Sequence, residues 1–245
     1  MRIPVDLHIH SALSPCADDD CTPGNLVAMA ALKGLAAIAV TDHQSCGNLR
    51  AVESRAKAAG IVAVPGMELE TSEEIHLVCL FPSIDAALVF EKEVRASMPD
   101  LLNRPEIFGR QLLIDEEDDL VGEEPRLLHV ASGIGVAEAF RRVDALGGVV
   151  VPAHVDRDSY SLLSTLGSIP AELPVGWLEV SALCDADALV ARHPGLDGIP
   201  LLRSSDAHRL GEILEPCMML DVDGFEPGKT GIFTVLRALR AKKAR

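Results

Sequence analysis

Histidine and carboxylate recur side by side along most of this chain, and the fold must bring those pairs together. Six of the eight histidines fall in short clusters: His8-Ile9-His10, Thr41-Asp42-His43, Glu74-Ile75-His76, Pro152-Ala153-His154 and Ser205-Asp206-Ala207-His208. A turn at Pro65-Gly66-Met67-Glu68 adds another carboxylate. Neutral imidazole and carboxylate are the side chains that hold Zn²⁺, Mn²⁺ and Fe²⁺. Nearly every cluster stands just after a short apolar run: residues 3–9, 35–40, 61–64, 149–151 and 199–202. His76 lies within or at the start of the run 75–81, and the run 177–180 carries Glu179.

Between these runs lie amphipathic stretches at 22–34, 48–59, 136–146 and 232–242. Thr22-Pro23 is a helix start, a capping hydroxyl followed by proline at the first helical position, and Gly34 and Gly60 are stops. Alternating strand and helix predicts a mainly parallel α/β sheet with right-handed crossovers. Polar residues at the ends of many strands converge only where the sheet closes, as at the mouth of a β/α barrel. An open doubly wound sheet would focus ligands at one switch point, and no glycine-rich phosphate loop follows the first strand. About seven units are countable. The expected fold is therefore a distorted (β/α)7 barrel, one domain over residues 1–245. The rhythm fails from about 85 to 130, which predicts an inserted, cap-like segment.

Bulk properties bound the function. With 245 residues and 48% apolar content the chain can fill a large core. Net charge is −15, the wrong sign for nonspecific nucleic-acid binding, and aromatic content is 3%, which leaves little for base stacking. Nucleic acid is thus not expected as a partner. The acidic run at 115–119 and 123–124 reads as a solvated loop. No apolar core of a signal peptide opens the chain and no run approaches a membrane span. The six cysteines are scattered without a C-x-x-C pair, so reduced thiols in a cytoplasmic protein are expected.

Taken singly, the motifs are weak. H-x-H on a strand end points both imidazoles to one face, but it is also a common chance pattern. Asp42-His43 alone reads equally as a helix cap beside a core histidine. Glu68 alone reads as a surface carboxylate. Jointly, the bland reading needs several separately satisfied buried histidines at strand ends. His129 and His193 match no motif and read as solvated or capping groups.

The set resembles the PHP family, named for polymerase and histidinol phosphatase domains, through Asp6-Leu7-His8-Ile9-His10-Ser11, Val40-Thr41-Asp42-His43, Pro152-Ala153-His154 and Ser204-Ser205-Asp206-Ala207-His208, with Gly66-Met67-Glu68 and Ile75-His76 between them. The resemblance implies a distorted seven-stranded β/α barrel and hydrolysis of phosphate esters with two or three divalent ions. It implies that His8, His10, Glu68 and Asp206 hold a first metal. Glu68 would bridge to a second held by His76 and His154. His43 and His208 would hold a third with a carboxylate from the loop after the first motif. That loop is longer than the common family form, and counting back from Pro23 favours Asp18, with Asp20 as the alternative. Glu68, Asp206 and Asp42 are the expected catalytic carboxylates, Asp42 and Glu179 also being placed to support a ligand from behind. Arg157, and after it Arg209, is the expected grip on substrate phosphate, because a guanidinium meets phosphate oxygens bidentately.

Three functions fit such a site. The first, favoured by the acidic charge, is hydrolysis of a small phosphorylated metabolite such as a nucleotide. The second is a nuclease acting on nucleic-acid ends. The third is a non-catalytic metal-stabilised module, against which the complete ligand set argues.

Overall fold

The computed structural model describes residues 1–240. In chain order, β1 (Arg2–Ile9) leads to α1 (Pro23–Leu32), β2 (Ala37–Val40), α2 (Leu49–Ala59), β3 (Val62–Ala63), β4 (Gly66–Glu70) and β5 (His76–Leu80). Then come α3 (Ile84–Ser97), α4 (Pro105–Phe108), β6 (Leu112–Ile114) and β7 (Leu120–Glu123). The second half holds α5 (Val136–Ala145), β8 (Val149–Pro152), α6 (Leu162–Leu166), β9 (Leu178–Val180), α7 (Ala186–Arg192), β10 (Leu201–Arg203), β11 (Met219–Asp221) and α8 (Gly231–Arg240). The expected end of the last helix at residue 242 falls outside the described residues.

The architecture is mixed α/β, but the strands form four small sheets among the described residues, and their pairing does not close into a barrel. β1, β2 and β3 are parallel, with β11 antiparallel on the free edge of β1. β9 and β10 are parallel. β4, β5 and β8 are antiparallel, against the expectation of a mainly parallel sheet. The cause is local. β4 and β5 are joined by a tight turn, in which Thr71 and Ile75 exchange hydrogen bonds, and a turn that short permits only antiparallel pairing.

Single contacts tie the sheets together at the end where the histidines lie. Ile9 bridges Ala207, and His43 bridges Glu68. The Val155 amide donates to the Glu179 carbonyl at 2.9 Å. One apolar cluster collects Val5 and Leu7 of β1, Ala39 of β2, Val78 of β5, Val151 of β8 and Leu202 of β10. A second, behind β1 and β2, takes Leu26, Val27 and Ala30 of α1 and Val52 and Ala56 of α2. Buried on both faces, these strands read as continuous apolar runs. A Cβ on Gly66 would stand 2.7 Å from Thr41 Cγ2, so glycine here lets β4 approach the end of β2.

The segment from 85 to 130 is not a detached cap. α3 buries Ala87, Phe90 and Val94 in the largest apolar cluster. The β6–β7 hairpin that follows leans on the loop after β1, where the Leu112 amide donates to the Ala12 carbonyl. Nor is the acidic run wholly solvated. Asp118 accepts from the Gly24 amide at 2.8 Å and the Thr22 hydroxyl at 2.7 Å, which fastens the hairpin to the first turn of α1.

Candidate metal centre

The first two ligand candidates come from β1. A register shift in its pairing with β2 lies between Asp6 and Ile9, and such irregularities re-aim side chains at sheet ends. His8 and His10 are fully buried, with their Nε2 atoms 3.2 Å apart. Asp6 stays behind them, accepting from the amides of Ser205 and Leu214 and holding the last motif against β1.

Glu68, on β4, is the hub. Its Oε1 lies 2.9 Å from His76 Nδ1 and 3.3 Å from both His8 Nε2 and His154 Nε2. Its Oε2 lies 3.1 Å from His43 Nδ1 and 3.2 Å from His10 Nε2. Asp206 Oδ1 completes the floor, 3.0 Å from His10 and 3.2 Å from His8. His154 and Asp206 both have left-handed backbones, φ 28° and 50°. Such strain in non-glycine residues persists where the surroundings fix it, commonly at functional sites.

Three donor groups result, in each of which the atoms lie within 4.8 Å of one another: His8, His10, Glu68 and Asp206; His43, Glu68 and His76; and His10, His43 and His208. Two of the atoms that face this floor, Glu68 Oε2 and His43 Nδ1, are buried without a hydrogen-bond partner. Buried polar atoms are normally paired. Lone pairs left over at the centre of a ring of imidazoles and carboxylates fit divalent cations.

Charge is balanced inside this cluster. Burial disfavours a cationic His10, yet Asp206 and Glu68 carry its pKa up to about 9. His8 is likewise raised, against burial, by Glu179, Glu68 and Asp206. Burial and the neighbouring imidazoles hold His43 well below the usual range and bring His208 down to about 4. Burial works against an ionised Glu68, but the imidazoles around it keep its carboxyl well below the usual carboxylate range.

Two expected site residues act from behind. Asp42 was expected to be catalytic, but it is buried and turned from the cavity. It accepts from the Ser11 amide and from the hydroxyls of Ser11 and Ser14, at 2.6–2.7 Å. Ser14 in turn lies 2.8 Å from His10 Nδ1. Glu179 Oε1 lies 2.8 Å from His8 Nδ1 and accepts from the His154 amide at 3.1 Å. The carboxylate fixes a proton on His8 Nδ1 and turns Nε2, with its lone pair, to the floor.

Asp18 does not join the cluster. Its amide bonds the His208 carbonyl, but its carboxylate turns outward to Arg209, at 3.4 Å. Asp20 belongs to no donor group, and neither do Cys16 and Cys21. The loop itself lies against the site, with Cys16 lining the cavity, but the Asp18 side chain points the other way, which counting back from Pro23 could not tell. Arg157 stands at the rim with Nη1 2.6 Å from Asp206 Oδ2. Arg209 borders an adjoining groove of about 570 Å³. The cavity over the floor is about 180 Å³ and is walled by His43, His76, His129, Arg157, Tyr160 and His208, among others. His129 was not expected there. Its ring lies parallel to that of His43, with centroids 5.0 Å apart. Tyr160 stacks on His76 at 4.7 Å. No local spacing announced either residue.

Residues 6–118 match the PHP domain model, a family whose members are metal-dependent hydrolases or phosphoesterases. Two curated relatives share part of it. An error-prone DNA polymerase of Symbiobacterium thermophilum is 37% identical over 76 residues, 31% of this chain and 7% of that protein. A 5'-3' exoribonuclease of Haemophilus influenzae is 34% identical over 98 residues, 37% of this chain and 35% of that protein. The match thus spans a minor part of each. Among solved structures, a lesion-specific endonuclease from Pyrococcus furiosus superposes with a TM-score of 0.66 at 18% identity, covering 98% of this chain and 56% of that one. At that identity the likeness concerns the fold.

These similarities overturn the expectation that nucleic acid is no partner for such a site. All three relatives process nucleic acid. Net charge misled because it averages over the whole surface, whereas cations held at such a site would set the local sign. Among the described residues no helix is long and apolar enough to cross a membrane.

Proposed function

We propose that this chain is a metal-dependent phosphodiesterase that cuts nucleic acid at strand ends. The observation that carries the reading is Glu68: one buried carboxylate with five imidazoles within 3.3 Å, on the floor of a cavity whose rim carries an arginine. In this reading His8, His10, Glu68 and Asp206 hold one divalent ion, and Glu68, His76 and His154 a second. His43 and His208 hold a third, without Asp18. Zinc, manganese and iron all suit this donor set.

Divalent ions in such a cluster acidify a water and offset phosphoryl charge. The chain supplies the rest. Glu179 and Ser14 hold His8 and His10 in orientation. Arg157, on release from Asp206, grips a nonbridging phosphate oxygen. Arg209, at the edge of the adjoining groove, meets the next phosphate. The cavity over the floor is about 180 Å³, and in this reading it takes the phosphate and sugar of a strand terminus. The relatives' nucleic-acid chemistry supports the same substrate class.

The test is cleavage of end-labelled single-stranded and duplex DNA and RNA by protein loaded with Mn²⁺, Zn²⁺ or Fe²⁺. A panel of small phosphate monoesters runs alongside. Strands should shorten from one end. Activity should disappear with chelator and in Glu68→Gln, while that variant still unfolds cooperatively. Release of phosphate from monoesters, with every strand left intact, would overturn the reading.

A further inference from the structure

We infer that His129 and Tyr160 form an aromatic mouth that stacks the base of the nucleotide being cut, so that the site takes an unpaired terminal nucleotide. The inference rests on the nuclease reading and adds to it the part of the substrate that the metal cluster and Arg157 leave unexplained.

Both rings line the cavity over the metal floor, and each is backed by an imidazole of the cluster. His129 lies within 5° of parallel to His43, and Tyr160 within 23° of parallel to His76. Their own centroids are 6.3 Å apart and tilted by 49°. That is too close and too oblique to sandwich a base. It is a wedge, in which a base lies on one ring with its edge toward the other, an offset arrangement that aromatic rings favour.

Tyr160 is held there at a cost. It keeps 40% of its surface exposed, and its backbone is left-handed, φ 53°, which is unfavourable for a bulky residue. The surroundings impose it. The Tyr160 carbonyl accepts from the His76 amide at 2.9 Å, and the Arg157 amide donates to the His154 carbonyl at 2.9 Å. The Ser161 hydroxyl donates to the Arg157 carbonyl at 2.7 Å. One pinned loop of seven residues therefore presents a metal-ligand candidate, His154, a phosphate grip, Arg157, and a stacking ring, Tyr160. Phosphate and base of one nucleotide are separated by a single sugar, and the loop offers partners for both. A paired terminal base would first have to leave its stack.

The experiment compares two single-stranded oligonucleotides that differ only at the terminal residue, 2-aminopurine in one and an abasic sugar in the other. It uses the metal-loaded full chain and its Tyr160→Ala, Tyr160→Phe and His129→Ala variants. Stacking of one base on an aromatic ring corresponds to roughly a 5- to 150-fold difference in affinity. Wild type should show a KM lower by that factor for the base-bearing end. Tyr160→Ala should collapse the ratio of the two KM values toward one, Tyr160→Phe should keep it, and His129→Ala should reduce it, all with wild-type metal content. The 2-aminopurine fluorescence should be quenched on binding to wild type and not to Tyr160→Ala, which reports stacking without turnover. Equal KM values for the two ends in wild type, or a Tyr160→Ala protein that retains the ratio, would overturn the inference while leaving the nuclease reading in place. Absence of cleavage of both strands would sink the nuclease reading. Unquenched 2-aminopurine would then sink the stacking mouth as well.

Discussion

Glu179 offers the sharpest test of how the metal floor is built, because one oxygen performs two tasks. Oε1 lies 2.8 Å from His8 Nδ1 and 3.1 Å from the His154 amide, and all the groups involved are buried. Glu179→Gln keeps an oxygen that can accept both bonds and removes the charge. Glu179→Ala removes both bonds. Outer-shell partners of metal-bound histidine typically contribute about 10- to 100-fold in metal affinity. The glutamine variant should sit at the lower end, about tenfold weaker, since His8 keeps its tautomer. The alanine variant should lose about 100-fold or more. It should also lose stability, because the two orphaned donors cost about 1–3 kcal/mol each, or about 2–6 kcal/mol together before relaxation. Competition against a chromophoric chelator measures the affinities, and denaturant unfolding of the metal-free proteins measures the stability. Wild-type metal affinity in Glu179→Ala would refute the claim that this carboxylate orients His8. Equal losses in the two variants would refute the separation of charge from geometry.

Two further outcomes follow from the site. Asp18→Asn should leave the number of bound metal ions unchanged and cost no more than about 1 kcal/mol, because Asp18 pairs with an exposed Arg209 rather than with the floor; loss of one ion by elemental analysis would return Asp18 to the ligand set. Metal affinity should rise by about tenfold or more per pH unit up to about pH 9, since His10, carried up to about 9 against burial by Asp206 and Glu68, and His8, likewise raised, must each shed a proton to coordinate. The sign for stability is opposite in the metal-free protein: a raised histidine pKa contributes stability in full below the unfolded value near 6.5 and loses it as pH rises through 9. The increase in Tm on adding metal should therefore grow across that window, and an increase that is flat from pH 6.5 to 9 would contradict this.

What the chain disclosed in advance was what is encoded locally. The H-x-H, the aspartate-histidine pairs and Glu68 each sit within a few residues of an apolar run, so their convergence could be read from spacing. Helix ends were legible where a local device sets them, as with Thr22 capping α1 and Gly60 closing α2 in a left-handed turn. The antiparallel β4–β5–β8 sheet was missed because strand direction depends on the tight turn after β4, not on hydrophobic pattern. β7 was missed because Leu120 and Val121 are exposed, leaving no buried stripe to reveal it. His129 and Tyr160 were invisible for a different reason. Each reaches the cavity through loop conformation fixed by distant partners, and neither belongs to a motif. Asp18 was misplaced because counting along a lengthened loop cannot say which carboxylate faces inward.

The spread of the cluster along the chain also governs when it can exist. Its donors run from His8 on the first strand to Asp206 and His208 after β10, and the amide of Asp206 bonds back to the His8 carbonyl. A nascent polypeptide that has not yet released residue 208 from the ribosome cannot assemble the floor, however well its first half has folded. Until then the floor lacks Asp206 and His208, and the donors of the first half alone hold an incomplete site.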